Sequence, residues 1–377
     1  MKKGRRFGGG KTLIIFLTVI LFTVLAGLLY WDDKQRRIKS EELRILAEER
    51  RKEQFAEEQQ LAELEKQDSF YQKLSDGFDV NILVVGDSIG AGTGASDNLS
   101  AWFNLLTSYL EETYSVKVLL TNISMGGNTS YAGYVRTMYL EDETEYDLAV
   151  VCYGQNDSTE DFSLYYESIL RAIKNKYKKC EIISILESSQ REYTKKMLEI
   201  QSLCEAYQIP IADTIAGFAK SSYVYSDLTD DGVHPNDLGY KIYFETVKDV
   251  IDKGVNEYRP YGKWETGPVN ENVTCLDHFA FFPVEDFEKT DDNTYSLNIS
   301  SPMAVLGVDY ICRTGDNKME IYIDGQKYVD SMTPYDHDFM QRRIFIVSEI
   351  CTIQEEIKVV FEKQESAEGF KGIALSW

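Results

Sequence analysis

Between residues 81 and 251, short apolar runs alternate with longer stretches in which apolar positions recur every third or fourth residue. "NILVVG", "VKVLLTNIS", "YDLAVVCYG", "CEIISIL" and "IPIAD" read as strands. They are nearly continuous in apolar residues, the mark of strands buried on both faces. "SAWFNLLTSYLEETY", "SLYYESILRAIKNKY", "YTKKMLEIQSLCEAY" and "PNDLGYKIYFETVKDVI" read as amphipathic helices, the first with Ser100 as N-cap. Strands that alternate with helices predict a parallel sheet covered on both sides. Beyond residue 256 the pattern changes to short strands, "NVTCLDHFAFFPV", "TYSLNIS", "MAVLGVDYIC", "MEIYIDGQKYVDSM", "RRIFIVSEI", "EIKVVFEK" and "GIALSW". Asp324-Gly325 marks a hairpin inside one of them. Strands without intervening helical patterns predict a β-sandwich.

The first 80 residues have a different texture. "MKKGRRFGGGK" is basic, and "TLIIFLTVILFTVLAGLLYW" over 12–31 carries no charge. About twenty such residues are long enough to cross a bilayer as a helix. Five basic residues before the segment favour an N-terminus inside the cell, with the remainder outside the cytoplasm and tethered to the membrane. Residues 32–76 are rich in Glu, Lys, Arg, Gln, Ala and Leu, strong helix formers without a sustained heptad, and predict a charged helical stalk. The expected organisation is therefore a basic terminus (1–11), a transmembrane helix (12–31), a stalk (32–76), an α/β domain (77–256) and a β-sandwich accessory domain (257–377).

Charge narrows the partners. The net charge of −22 argues against nucleic acid, whose phosphates need clustered Lys and Arg. The six cysteines form no CxxC or Cys/His zinc spacing. Cys152, Cys180 and Cys204 lie in apolar or helical runs and read as buried free thiols; a Cys275–Cys312 or Cys312–Cys351 bridge stays open. The acidic runs at 142–147 and 227–232 lack the loop spacing of a calcium site and read as solvated loops. Neither a metal nor a cofactor is expected.

The chemistry gathers just beyond the strands, where ligands bind in an open α/β sheet. The places are Gly86-Asp87-Ser88, Gly126-Gly127 in "NISMGGNTS", Gly154 to Asp157 in "YGQND", and Asp231 with His234 in "DGVHPN". Acyl transfer requires a nucleophile, a base, a group that orients the base, and donors for the developing oxyanion. Ser88 can serve as nucleophile, and His234, the only histidine of the α/β part, as base. Asp231, three residues earlier, can hold the imidazole, although Asp230 has nearly the same spacing. Backbone N–H groups of Ser88 and Gly127 and the Asn156 amide can receive the oxyanion.

In this order the four segments resemble those of the SGNH (GDSL-type) hydrolase family over residues 81–251. The resemblance implies a flavodoxin-like three-layer α/β/α fold and an esterase or lipase activity. It assigns Ser88 as nucleophile, Asp231 and His234 as acid and base, Gly127 and Asn156 as oxyanion residues, with Asp87 and Asp157 in support. The leucine of the GDSL motif is replaced, since the first segment reads "GDSIGAG". Ser124 stands where glycine is frequent and Gly126 where serine is, so either Gly126 or Gly127 presents the oxyanion N–H; Gly127 fits the following Asn-Thr better.

An outward-facing member of this kind implies an enzyme acting on acylated carbohydrate, an O-acetylesterase of extracellular or envelope polysaccharide. An O-acetyltransferase using the same acyl-serine, and a non-enzymatic glycan-binding envelope protein, are the alternatives. Trp102, Tyr131, Tyr153 and Tyr223 fall near the expected cleft, where aromatic faces can stack on sugars, but core packing accounts for such residues equally well.

Overall fold

The structure is a computed structural model that describes residues 69–158, 160–187, 192–257, 267–312, 318–329 and 341–377, with helical residues at 31, 34–35, 39, 44–46 and 50–52. The chain divides into two units, Met1–Gln67 and Asp68–Trp377. The second unit contains both the α/β part and the β-rich part.

Five strands build the first sheet: β1 (Val80–Gly86), β2 (Val118–Asn122), β3 (Leu148–Cys152), β4 (Glu181–Leu186) and β5 (Ile211–Asp213). All pair in parallel in the order β2-β1-β3-β4-β5. This is the flavodoxin-like order, with its switch point between β1 and β3. Strand alternation feeds two cores. Leu83, Val85, Ala149 and Val151 face the helices Ser130–Tyr139, Phe162–Lys176 and Lys195–Tyr207. Ile82, Val84, Leu148 and Val150 face the helices Phe70–Ser75, Trp102–Tyr114, Thr214–Lys220 and Asp237–Asn256.

The remaining strands are β6 (Phe279–Pro283), β7 (Glu288–Asp291), β8 (Thr294–Asn298), β9 (Ser301–Cys312), β10 (Met319–Ile323), β11 (Gln326–Val329), β12 (Gln341–Ile353), β13 (Glu356–Phe361) and β14 (Phe370–Ser376). They form two sheets, β11-β10-β13-β8-β7 and β12-β9-β14-β6, with antiparallel pairing throughout. A shared core of Leu306, Val308, Ile321, Val359 and Ile373 makes them a sandwich. The hairpin at Asp324-Gly325 is present, with both residues at positive φ as a two-residue turn requires.

The sheet containing β9 is buried on both sides. Ala304, Leu306, Val308 and Tyr310 enter the sandwich core, while Val305 joins Ile344 and Ala374 in the core of the α/β part. Gly307, between them, lies so close to Tyr131 that a Cβ there would collide with its ring and hydroxyl. The helix Ser130–Tyr139 is thus wedged between two sheets, and seven of its ten residues are buried. This helix is not among those read from the sequence.

Two expectations are corrected or displaced. No helix of the described residues is long and apolar enough to cross a membrane, which overturns the transmembrane helix as part of the fold. The longest of them, Asp237–Asn256, carries Lys241, Glu245, Lys248, Asp249, Asp252 and Lys253 beside its buried stripe, which no bilayer interior would accept. Residues 12–30 themselves lie outside the described residues. The end of the expected stalk is a helix of the α/β layer, Phe70–Ser75, capped by Ser69 and anchored by Phe70, Tyr71 and Leu74 in the core. Cys152, Cys180, Cys204, Cys275 and Cys312 are free thiols.

Candidate active site

The carboxyl edge of the parallel sheet collects every sequence-selected residue. β1 ends at Gly86, and Ser88 follows within a tight turn in which Ala91 N–H donates to Asp87 O. The glycines after it let this loop lie against the histidine segment. Gly94, at φ +99°, sits where a Cβ would strike Pro235 O and crowd His234 Cβ. On the other side of the contact, a bridge between Thr229 and Pro235 closes the loop that carries Asp231 and His234. Asn236 then caps the helix Asp237–Asn256, accepting from Leu238 and Gly239 N–H.

His234 Nε2 lies 2.9 Å from Ser88 Oγ, and its Nδ1 lies 2.6 Å from Asp231 Oδ2. Asp231 Oδ1 accepts the N–H groups of Val233 and His234, both at 2.8 Å. Burial works to raise the pKa of this carboxyl, but the bond from His234 and the two backbone donors outweigh it and hold the pKa at about 2. Asp231 is therefore an anion at any working pH. Its neighbour Asp230 accepts instead from Asn236 Nδ2, which gives the imidazole to Asp231 alone. Ser88 is only 6% exposed, so a reacting ester is largely out of water.

Among the described residues, the N–H groups of Ser88, Gly126 and Gly127 have no hydrogen-bond acceptor. Gly126 and Gly127 are the central residues of a turn closed by Asn128 N–H to Met125 O, and Gly127 takes φ +68°, where a side chain would be strained. Asn156 also reaches the site, but its amide is engaged: Nδ2 donates to Asn128 O at 3.0 Å and to Asp87 Oδ2 at 3.3 Å. In this arrangement Asn156 ties the third segment to the second, and the backbone N–H groups are the open donors. Asp157 Oδ1 accepts both Ser130 N–H and Ser130 Oγ, at 2.9 and 2.5 Å, and thereby fixes the start of the helix Ser130–Tyr139.

Beneath the serine lies a buried acidic pair. Asp87 accepts from Ile89 N–H, and Glu187, just past β4, accepts from Gln155 N–H and Cys152 Sγ. Burial and the nearness of the two carboxyls push Asp87 well above its ordinary value, and burial raises Glu187 as well. Sequence reading missed Glu187; its position one residue beyond a strand is the signal it offered. Asn128 was missed as well. Fully buried, it donates to Gly126 O and Arg342 O and accepts from Ile344 N–H, each at 2.9 Å. Of the aromatic candidates, Trp102, Tyr131 and Tyr153 are core residues, and only Tyr223 is exposed. Among the described residues no cluster of His, Cys, Asp and Glu is arranged to hold a metal ion.

Residues 84–242 match the model of the GDSL-like lipase/acylhydrolase family. Two crystal structures of a two-domain esterase active on acetylated mannans are similar to the chain in both of its parts. One has a TM-score of 0.67 at 16% identity and covers 81% of this chain and 93% of its own. The other, co-crystallised with mannopentaose, has a TM-score of 0.64 at 16% identity over 81% of this chain and 92% of its own. No curated protein matches the chain.

Proposed function

Residues 84–242 being those of a GDSL-like lipase/acylhydrolase, we propose that the protein is a serine esterase that removes O-acetyl groups from a polysaccharide. The observation that carries the proposal is the unbroken relay from Ser88 Oγ through His234 to an ionised Asp231. His234 Nε2 takes the hydroxyl proton as Ser88 Oγ attacks the acetyl carbonyl. The carbonyl oxygen becomes an oxyanion and is met by the open Ser88 and Gly127 N–H groups. The tetrahedral centre collapses, His234 returns the proton to the departing sugar oxygen, and an acetyl-serine remains. Water then repeats the sequence, with His234 as base, to release acetate and restore the serine. Asp231 holds Nδ1–H and stabilises the imidazolium formed in each step.

The polysaccharide assignment rests on the two-part architecture shared with an esterase described as active on acetylated mannans. A polymer of that size is met outside the cytoplasm, and we place the catalytic part there. The test is acetate release by the full chain from p-nitrophenyl acetate, acetylated mannan and acetylated xylan, beside Ser88→Ala. Serine-dependent release, at least about a thousandfold above the alanine variant, is expected, with the polymer preference naming the substrate. Acetate that appears only on an added sugar acceptor would replace hydrolysis by transfer. Equal rates for parent and variant would refute an enzymatic role.

A further inference from the structure

The peptide that donates its N–H to the oxyanion is held from its other end. Gly126 C=O and Gly127 N–H belong to one planar trans unit and point in opposite directions. Whatever fixes the carbonyl therefore aims the N–H. Two side-chain amides do so: Asn128 Nδ2 donates to Gly126 O at 2.9 Å, and Gln341 Nε2 donates to it at 2.7 Å. Asn128 is part of the same turn. Gln341 opens β12, in the β-sandwich, 215 residues further along the chain.

Gln341 also lies across the glycine pair. A Cβ built on Gly127 would collide with the Gln341 amide, and one built on Gly126 would sit 3.7 Å from Ser88 Cβ and 3.8 Å from Gln341 Nε2. The same amide thus touches the turn on the side that faces the nucleophile. Its Oε1 is buried without a hydrogen-bond partner among the described residues. An amide with one end orphaned costs stability, which sets a structural purpose against a functional one.

We propose that Gln341 is a positioning residue for ester cleavage at Ser88, and that through it the β-sandwich completes the oxyanion site; the proposal rests on the esterase reading. Two effects follow from the geometry. Gln341 anchors the Gly126 carbonyl to a frame independent of the turn, so the N–H stays aimed. Donation to the carbonyl also polarises the peptide and makes its N–H a stronger donor. Both effects count most when full charge sits on the oxyanion, so they act on kcat more than on KM.

The test compares the full-length parent with Gln341→Ala, Gln341→Met and Gln341→Glu, measuring kcat and KM on p-nitrophenyl acetate and the urea midpoint of each. Methionine keeps the volume and removes the donor. Loss of one well-aimed oxyanion donor costs about 10²–10³ in kcat, and a donor left misaimed is expected to cost about 10–100-fold. Methionine and alanine should show that loss with KM within about twofold. Glutamate should fall further, because its carboxylate cannot donate and faces both the carbonyl and the oxyanion. An alkylboronic acid, whose adduct with Ser88 carries the tetrahedral oxygen, should lose affinity in parallel with kcat. A kcat within about twofold of the parent for alanine and methionine overturns the proposal, as does a loss that merely tracks the urea midpoint. In both cases the active parent leaves the esterase reading standing, whereas a parent as inert as Ser88→Ala overturns the two together.

Discussion

Replacing Asn128 by alanine isolates the junction between the catalytic turn and the sandwich. β12 is the edge strand of its sheet, and its outward backbone groups need partners. Asn128 supplies them with one side chain, giving Nδ2–H to Arg342 O and taking Ile344 N–H on Oδ1, as a neighbouring strand would. Alanine leaves a buried Ile344 N–H and a partly buried Arg342 O unpaired, while Gly126 O keeps its bond from Gln341. At about 1–3 kcal/mol for each orphaned group, the ceiling is roughly 6 kcal/mol, and local relaxation brings the expected loss to about 2–4 kcal/mol. That is about 30- to 1,000-fold in the folding equilibrium, or roughly 1 M in urea midpoint for a slope of about 3 kcal/mol per M. Urea titration followed by tryptophan fluorescence measures it. Asn128→Asp keeps an acceptor for Ile344 N–H but loses both donations, and should fall between parent and alanine or below alanine if its charge persists. A loss under about 0.5 kcal/mol for alanine would refute the claim that this side chain pairs the edge.

Asp231→Asn should leave the loop folded but lower kcat by about 10⁴-fold, since an amide holds the imidazole in the wrong tautomer and no longer stabilises the imidazolium; a loss under tenfold in steady-state kinetics would contradict the relay. Glu187→Gln tests the buried acidic pair. Because burial raises Asp87 and Glu187 above their ordinary values of 3.8 and 4.5, the native state binds more protons than the unfolded chain, and stability falls as pH rises from about 4 upward. The glutamine variant should show a shallower fall of Tm with pH over that range, and an unchanged slope would count against a raised Glu187. Gly307→Ala should cost about 1–3 kcal/mol through its clash with Tyr131. In a Tyr131→Phe background, which also removes a buried hydroxyl without a partner among the described residues, the cost should shrink, as a double-mutant cycle would read.

The amino-acid sequence by itself determined the strand-helix alternation, the change to strands after residue 256, and the serine and histidine of the site, with an aspartate close before the histidine. Each depends on local information. Strands buried on both faces show unbroken apolar runs, Asp231 and His234 are three residues apart, and the loop after β1 announces itself by glycine. A strand exposed on both faces leaves no such mark. β7, "EKTD", shows no apolar face because all four residues are exposed, and the helix Ser130–Tyr139 is not among the helices read from the sequence. The hydropathy of residues 12–31 suggested a membrane helix that the described fold does not contain.

Only the tertiary structure decided which acid the histidine holds, because Asp230 and Asp231 have nearly equal spacing and differ only in that Asn236 claims the first. It alone showed Asn156 engaged by Asn128 and Asp87, and Glu187 beside the segment that carries Gln155. It also joined two parts of the chain that read as separate domains. Asn128 and Arg342 are 214 residues apart, and no local pattern can encode a hydrogen bond across that distance. The side chains of the site are written in short segments at one sheet edge, whereas the Gly126 carbonyl gains its second partner, Gln341, only when β12 packs against the turn.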